Sequence, residues 1–205
     1  TVGSEQDYHF KILFKILEKL DYKWAKECFH LSYGMIDLPS GKMKSREGTV
    51  VDADQLIYDM VETAKKRTND LGKLDDFDTD DSKVLYNIIA LGALKYFLLK
   101  VDPKKRMLFD PEESIDFQGN TGPFIQYTYA RIFSIIKRAN FLKLDYKNFD
   151  SSKNFKITSP QKKLINHVYQ FSEAINLSSE SYSPSVITKY VYELAKTYNS
   201  FYQDD

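Results

Sequence analysis

Along most of this chain, hydrophobic residues recur every three or four positions. Between Asp7 and Leu20 they include Phe10, Ile12, Leu13, Phe14, Ile16 and Leu17, an arc covering more than half of a helix. An arc that wide predicts a helix pressed against a sheet rather than lying on a surface. The run from Ala25 to Leu38 alternates only loosely and reads as one or two strands. Helical periodicity returns at Asp52, with Leu56, Ile57, Met60 and Val61 leading to about Thr68. Lys65, Lys66 and Arg67 near its end suit the negative pole of a helix dipole.

Residues 71–81 are rich in aspartate and read as a solvated linker. A strongly apolar helix follows from Val84 to Leu99, closed by Asp102-Pro103. Met107-Leu108-Phe109 reads as a short extended piece, and Pro111-Glu112-Glu113 as a turn. Gly122-Pro123 opens a helix running to about Ala139, with proline placed where its missing donor costs nothing. Ser159-Pro160 and Ser183-Pro184 open two more by a serine cap and a proline. The first carries Leu164, Val168 and Phe171; the second carries Ile187, Tyr190, Val191, Leu194 and Tyr198.

Composition narrows the picture. Lysine and arginine number 29, aspartate and glutamate 29, so the net charge is zero. No general field draws the chain towards nucleic acid, and any RNA contact must come from a local patch. The single cysteine, Cys28, excludes an internal disulfide and suits a reducing compartment. No run approaches the roughly 18 apolar residues of a membrane span, and no metal-ligand cluster is visible. The chain starts at Thr1 without methionine and stops at Asp205 just after an apolar helix, as a piece of a longer protein would.

Three segments carry chemistry. In Gly34-Met-Ile-Asp-Leu-Pro-Ser-Gly-Lys-Met-Lys-Ser-Arg-Glu-Gly48, the cations Lys42, Lys44 and Arg46 and the hydroxyl of Ser45 lie between two glycines. Point charges, a planar fork and a hydroxyl donor are what a polyphosphate needs; a solvated basic turn is the other reading. Gln6, in Gly3-Ser-Glu-Gln-Asp-Tyr-His9, stands where a strand gives way to a helix, a place where α/β proteins bind ligands. It could equally cap that helix. On the helix after Pro123, Phe124, Tyr127, Arg131, Ser134 and Arg138 recur at i, i+3, i+7, i+10 and i+14, beside an apolar stripe of Ile125, Thr128, Ile132, Ile135, Ile136 and Ala139. Rings and arginines interleaved in this way suit single-stranded RNA. The same spacing also fits rings packed on a neighbouring helix and arginines paired with local acids.

The loop resembles the mobile signature loop of the class I aminoacyl-tRNA synthetases, usually Lys-Met-Ser-Lys-Ser, with one residue fewer between Met43 and Lys44. The longer stretch from Tyr33 to Asp54 resembles arginyl-tRNA synthetases in particular. So do Gly3 to Phe10, Gly119 to Tyr127, and Ser183 through Tyr202. The resemblance implies a mainly α fold. A small α/β remnant of a class I, Rossmann-like nucleotide-binding catalytic domain (residues 1–100, with the signature loop at 41–48) would precede an α-helical anticodon-binding bundle (101–205).

The implied activity is that of an arginine–tRNA ligase: ATP-dependent activation of arginine and its transfer to tRNA(Arg), with magnesium accompanying ATP. Lys42, Lys44, Ser45 and Arg46 would serve catalysis and Gln6 would hold arginine. Phe124, where tyrosine is common in the family, would meet the anticodon loop together with Tyr127, Arg131 and Tyr202. The implied protein is a cytoplasmic monomer that needs no membrane. The family pairs this loop with a His-x-Gly-His motif, which this sequence lacks; its three histidines, His9, His30 and His167, are scattered. The chain by itself is therefore expected to be inactive, and to be without the family's N-terminal tRNA-elbow domain and final anticodon-domain helix. The alternative is a noncatalytic RNA-binding helical module.

Overall fold

The computed structural model describes residues 1–37, 52–70, 79–145, 148 and 156–204. Strand β1 (Val2–Gly3) runs through a 3-10 turn at Ser4–Gln6 into helix α1 (Asp7–Lys19). A second 3-10 segment (Lys23–Glu27) returns the chain to β2 (Ser32–Tyr33), which lies parallel to β1 with Val2 opposite Ser32. The next strand, β3 (Ile36–Asp37), joins a different ladder, parallel to β4 (Met107–Leu108). The one or two strands expected between Ala25 and Leu38 are thus two, each in a different ladder, and the stretch begins with helix rather than strand.

Gly34 sits at the crossing from one ladder to the other. Its amide donates to the Pro103 carbonyl at 2.6 Å, and a Cβ there would land on the Lys105 carbonyl. Only glycine lets the two chain segments pass so closely. Beside it, Arg106 grips both carboxylate oxygens of Asp37, fastening the end of β3 to the start of β4.

Helix α1 departs from expectation. None of its residues is fully buried, and Ile12, Leu13, Ile16 and Leu20 remain 40–61% exposed. Two two-residue strands and a 3-10 segment are too small to cover so wide an apolar arc. Phe10, Phe14 and Leu17 half-bury instead, and Phe10 stacks on His30 at 4.3 Å.

Two helices carry the main core. Asp52 caps α2 (Ala53–Asp70), its carboxylate accepting from the Asp54 amide at 2.8 Å. Helix α3 (Thr79–Leu99) begins earlier than the periodicity indicated, taking in the acidic residues Asp80 and Asp81 that read as linker. Carboxylates at a helix start complement the positive pole of its dipole. By length and composition α3 could cross a membrane, but Ile89, Ala90, Ala93, Leu94 and Phe97 pack with Met60 and Ala64 of α2, Phe109 and Ile115 into the buried core. A short helix, α4 (Pro111–Ser114), is capped by the Asp110 carboxylate.

The second half of the chain is helical. Helix α5 (Gly122–Phe141) is capped by Thr121, whose hydroxyl accepts from the Phe124 amide. Where α5 crosses α3, a Cβ on Gly122 would meet the Gly92 carbonyl, so the two backbones touch. The expected apolar stripe of α5 buries only in its first half: Ile135 and Ile136 stay 43% and 40% exposed. A capping box between Thr158 and Gln161 opens α6 (Ser159–Tyr169), so the cap is Thr158 rather than Ser159.

The stripe through Phe171 breaks at Gln170, and α7 (Phe171–Ser181) begins as a separate helix. Both α6 and α7 pack on α8 (Ser185–Asp204), and a straight helix would not present both faces to it. Tyr182 closes α7 in the left-handed conformation (φ 50°). Its ring stacks on Phe29 at 4.5 Å and joins the bundle to the α/β part.

Candidate nucleic-acid interface

Tyr127 and Arg131 are one turn apart on α5, and α8 brings Tyr202 across to them. The Arg131 guanidinium carbon lies 5.0 Å from the Tyr127 ring centre and 4.9 Å from that of Tyr202. Arg131 is therefore held by two rings at once, its cation lying over the negative face of each. Tyr202 also stacks on Tyr198 one turn earlier, at 6.2 Å. Burial, then the neighbouring Tyr202, pushes the Tyr198 hydroxyl above its ordinary pKa, and Arg131 partly opposes this. Tyr127 is 41% and Tyr202 48% exposed. Together with Arg131, Ser134 and Arg138 they line an open cavity of about 440 Å³, a volume in the range of ligand pockets.

A polar chain lies beneath this cation. Arg131 donates through Nη1 to Asn199 Oδ1 at 2.5 Å, and Asn199 donates through Nδ2 to Thr128 Oγ1 at 2.7 Å. Thr128 in turn donates to the Phe124 carbonyl at 2.9 Å. Thr128 is buried, as the apolar stripe predicted, but as a hydroxyl relay. Asn199 had no signal in the spacing, because a mid-helix asparagine is ordinarily solvated or bonded to its own backbone.

Phe124 is not brought to this group. It is half-buried with its ring 5.6 Å from Tyr192, on the seam between α5 and α8. The structure thus gathers three of the four expected RNA-contacting residues, Tyr127, Arg131 and Tyr202.

In the α/β part, Gln6 ends the 3-10 turn in an exposed position, and its side chain makes no capping bond to α1. The first turn is tied down by His30 instead, whose Nδ1 lies 3.3 Å from Asp7 Oδ1 and whose Nε2 lies 3.1 Å from the Val2 carbonyl. Lys42, Lys44, Ser45 and Arg46 lie outside the described residues. Their attachment points are defined: β3 leads in, pinned by β4 and Arg106, and the capped start of α2 follows. A loop between a strand end and a helix start is a common setting for phosphates. Among the described residues no group of three or more His, Cys, Asp or Glu side chains is placed to hold a metal ion.

Known proteins match both parts. Residues 1–110 match the family described as tRNA synthetases class I (R), catalytic domain, and residues 125–205 match the DALR anticodon binding domain. The arginine–tRNA ligase of Flavobacterium psychrophilum is 55% identical over 203 residues, covering 99% of this chain and 33% of that protein. The arginine–tRNA ligase of Bacteroides fragilis is 50% identical over 204 residues, covering 100% and 34%. Among solved structures, the arginyl-tRNA synthetase of Thermus thermophilus superposes with a TM-score of 0.84 at 25% identity, over 100% of this chain and 32% of its own. That of Plasmodium falciparum gives 0.73 at 22% identity over 99% and 34%, a likeness of fold alone. The chain spans about a third of the length of the curated relatives it matches.

Proposed function

This chain belongs to the class I arginyl-tRNA synthetase family, and from that premise we propose that it works as part of an arginine–tRNA ligase. Residues 1–100 supply the end of the catalytic domain and 101–205 the anticodon-binding domain. In the reaction, a carboxylate oxygen of arginine attacks the α-phosphorus of ATP, pyrophosphate leaves, and the activated arginine passes to tRNA(Arg). Magnesium enters with ATP as part of the substrate.

Lys42, Lys44, Ser45 and Arg46 stabilise charge on the departing phosphates. Such catalysis is chiefly positioning and electrostatics, which is why a cluster of cations and a hydroxyl serves it. Gln6, exposed and free of any capping duty, holds the substrate arginine. Tyr127, Arg131 and Tyr202 grip the anticodon loop, with Phe124 supporting them from the α5–α8 seam. The protein acts as a cytoplasmic monomer away from membranes, in keeping with a single cysteine and with an apolar α3 that serves as core.

By itself the chain does not activate arginine, because it carries no His-x-Gly-His sequence. The exposed apolar arc of α1 supports this, since it is a surface for the remainder of a catalytic domain to cover. The reading of a noncatalytic RNA-binding module is disfavoured by the catalytic-domain match over residues 1–110.

The observation that carries the RNA reading is the Arg131 cation held by two rings on a chain of zero net charge. Each stacked base is worth roughly 1–3 kcal/mol by alanine substitution. Tyr127→Ala or Tyr202→Ala in the full-length protein therefore weakens tRNA(Arg) binding about five- to a hundredfold. Titration at two salt concentrations, with circular dichroism to confirm unchanged helix content, is the test. Unchanged affinity in both variants would make the rings part of the core and refute the reading.

A further inference from the structure

On the reading that the α5–α8 face binds RNA, we propose that Asn199 is a positioning residue that fixes which edge of Arg131 the RNA meets. The guanidinium carbon lies over the rings of both Tyr127 and Tyr202, so a ligand meets this cation chiefly through the N–H groups the rings leave open. Two rings hold the cation in place, but they do not fix which way its N–H groups point, because cation–π attraction to a ring has little directionality. Asn199 supplies the missing constraint by accepting from Nη1.

The asparagine amide is itself locked. Its Nδ2 donates to Thr128 Oγ1, whose own proton is given to the Phe124 carbonyl. Flipping the amide would set its NH₂ against the Nη1 donor and its oxygen against Thr128, losing both bonds unless the threonine also turned. The chain of bonds ends on the α5 backbone, so Arg131 is referenced to the helix that carries it.

The rest of its fork faces RNA acceptors at the cavity it lines with Ser134 and Arg138. Such acceptors are phosphate oxygens or the acceptor edge of a base, both of which a guanidinium meets with paired N–H bonds. The choice of an amide is also chemical. Asn199 holds the guanidinium without cancelling its charge, whereas a carboxylate would hold it and neutralise it.

The test is a double-mutant cycle on tRNA(Arg) binding by the full-length protein. Asn199→Leu is expected to weaken binding about tenfold, the worth of one mispositioned charge-assisted contact. In an Arg131→Ala background the same change is expected to cost less than about twofold, since nothing is left to position. Asn199→Asp keeps the acceptor but pairs the charge, and is expected to weaken binding, with a salt slope lowered by about one where the ligand atom is a phosphate oxygen. A salt slope that falls by about one in Arg131→Ala marks the ligand atom as phosphate. An unchanged slope with lost discrimination between loop sequences marks it as a base edge; either supports the assignment.

Equal losses from Asn199→Leu in both backgrounds would show a merely structural asparagine and overturn the proposal, as would unchanged affinity in the single variant. If Arg131→Ala, Tyr127→Ala and Tyr202→Ala all bind like the wild type, the RNA face itself is wrong and the proposal falls with it.

Discussion

Replacing Gly122 with alanine tests whether α3 and α5 meet backbone to backbone. A methyl group on buried Gly122 would strike the Gly92 carbonyl and the Ala93 amide region, all main chain. Main chain cannot swing aside, so the two helices must separate, and overpacking of this kind costs about 1–3 kcal/mol. The intrinsic gain from glycine to alanine is at most about 1 kcal/mol and is smaller at the first helical position, leaving a net loss of about 1–2 kcal/mol. For a chain of this length that lowers Tm by about 2–8 °C.

Gly92→Ala is the control on the opposite helix. The atoms nearest its methyl would be those of the Gln126 carboxamide, a side chain that can move by giving up its 3.0 Å bond to the Ile88 carbonyl. That loss of about 1 kcal/mol is offset by the helix gain in the middle of α3, so Tm should barely change. Thermal unfolding followed by circular dichroism on the three proteins decides the matter. A Gly122→Ala protein as stable as the wild type, or a Gly92→Ala protein that falls as far, would refute the crossing.

Further predictions concern pH and kinetics. Burial pushes the Lys100 ammonium below its ordinary 10.5, partly offset by Glu113. Between that lowered pKa and 10.5 the unfolded chain holds more protons, so stability rises with pH, and Lys100→Met should abolish the rise. Burial, then Tyr192 and Glu193, raises Tyr96, whose hydroxyl donates to Asn120 and faces the Thr188 carbonyl. Its contribution is complete below its ordinary 10.0 and is lost as pH climbs towards the folded value. Tyr96→Phe should therefore flatten the alkaline fall in urea midpoints, and an unchanged fall would rule Tyr96 out as its source. In the full-length protein, Lys44→Ala or Arg46→Ala should slow arginine-dependent ATP–pyrophosphate exchange by about 2–4 kcal/mol of barrier. Gln6→Ala should raise the Michaelis constant for arginine instead; an effect of the loop variants on that constant alone would show that the loop does not clamp phosphate.

What the sequence disclosed was local periodicity and motif chemistry. Helices α2, α3, α5 and α8 were legible because each carries an apolar stripe longer than any strand, and the start of α5 was legible from Pro123. The break at Gln170 was not, because Tyr169-Gln170-Phe171 contains no glycine or proline; the demands of α8 on both neighbours impose it. The exposure of α1 was misjudged because an apolar arc reports what a helix can bury, not what is beside it. In the candidate site, Tyr127 and Arg131 followed from spacing along one helix, and Tyr202 from resemblance. Asn199 was hidden because its role depends on the side chain opposite it on another helix, which no one-dimensional pattern encodes. Gly92 and Gly122 were silent for the same reason.

Helix α8 is also a length standard. Near one end, the Thr188 hydroxyl donates to the Leu99 carbonyl at the close of α3; near the other, Tyr202 lies against Arg131. Fourteen residues of rise set the interval between these two fixtures at about 21 Å. Inserting a single residue between them would lengthen the interval by only about 1.5 Å, but it would turn Tyr202 about 100° around the helix axis and out of the stack. Deleting one would turn it as far the other way. Along this stretch the chain can exchange side chains freely on the outer face, but its residue count is held fixed by the two ends.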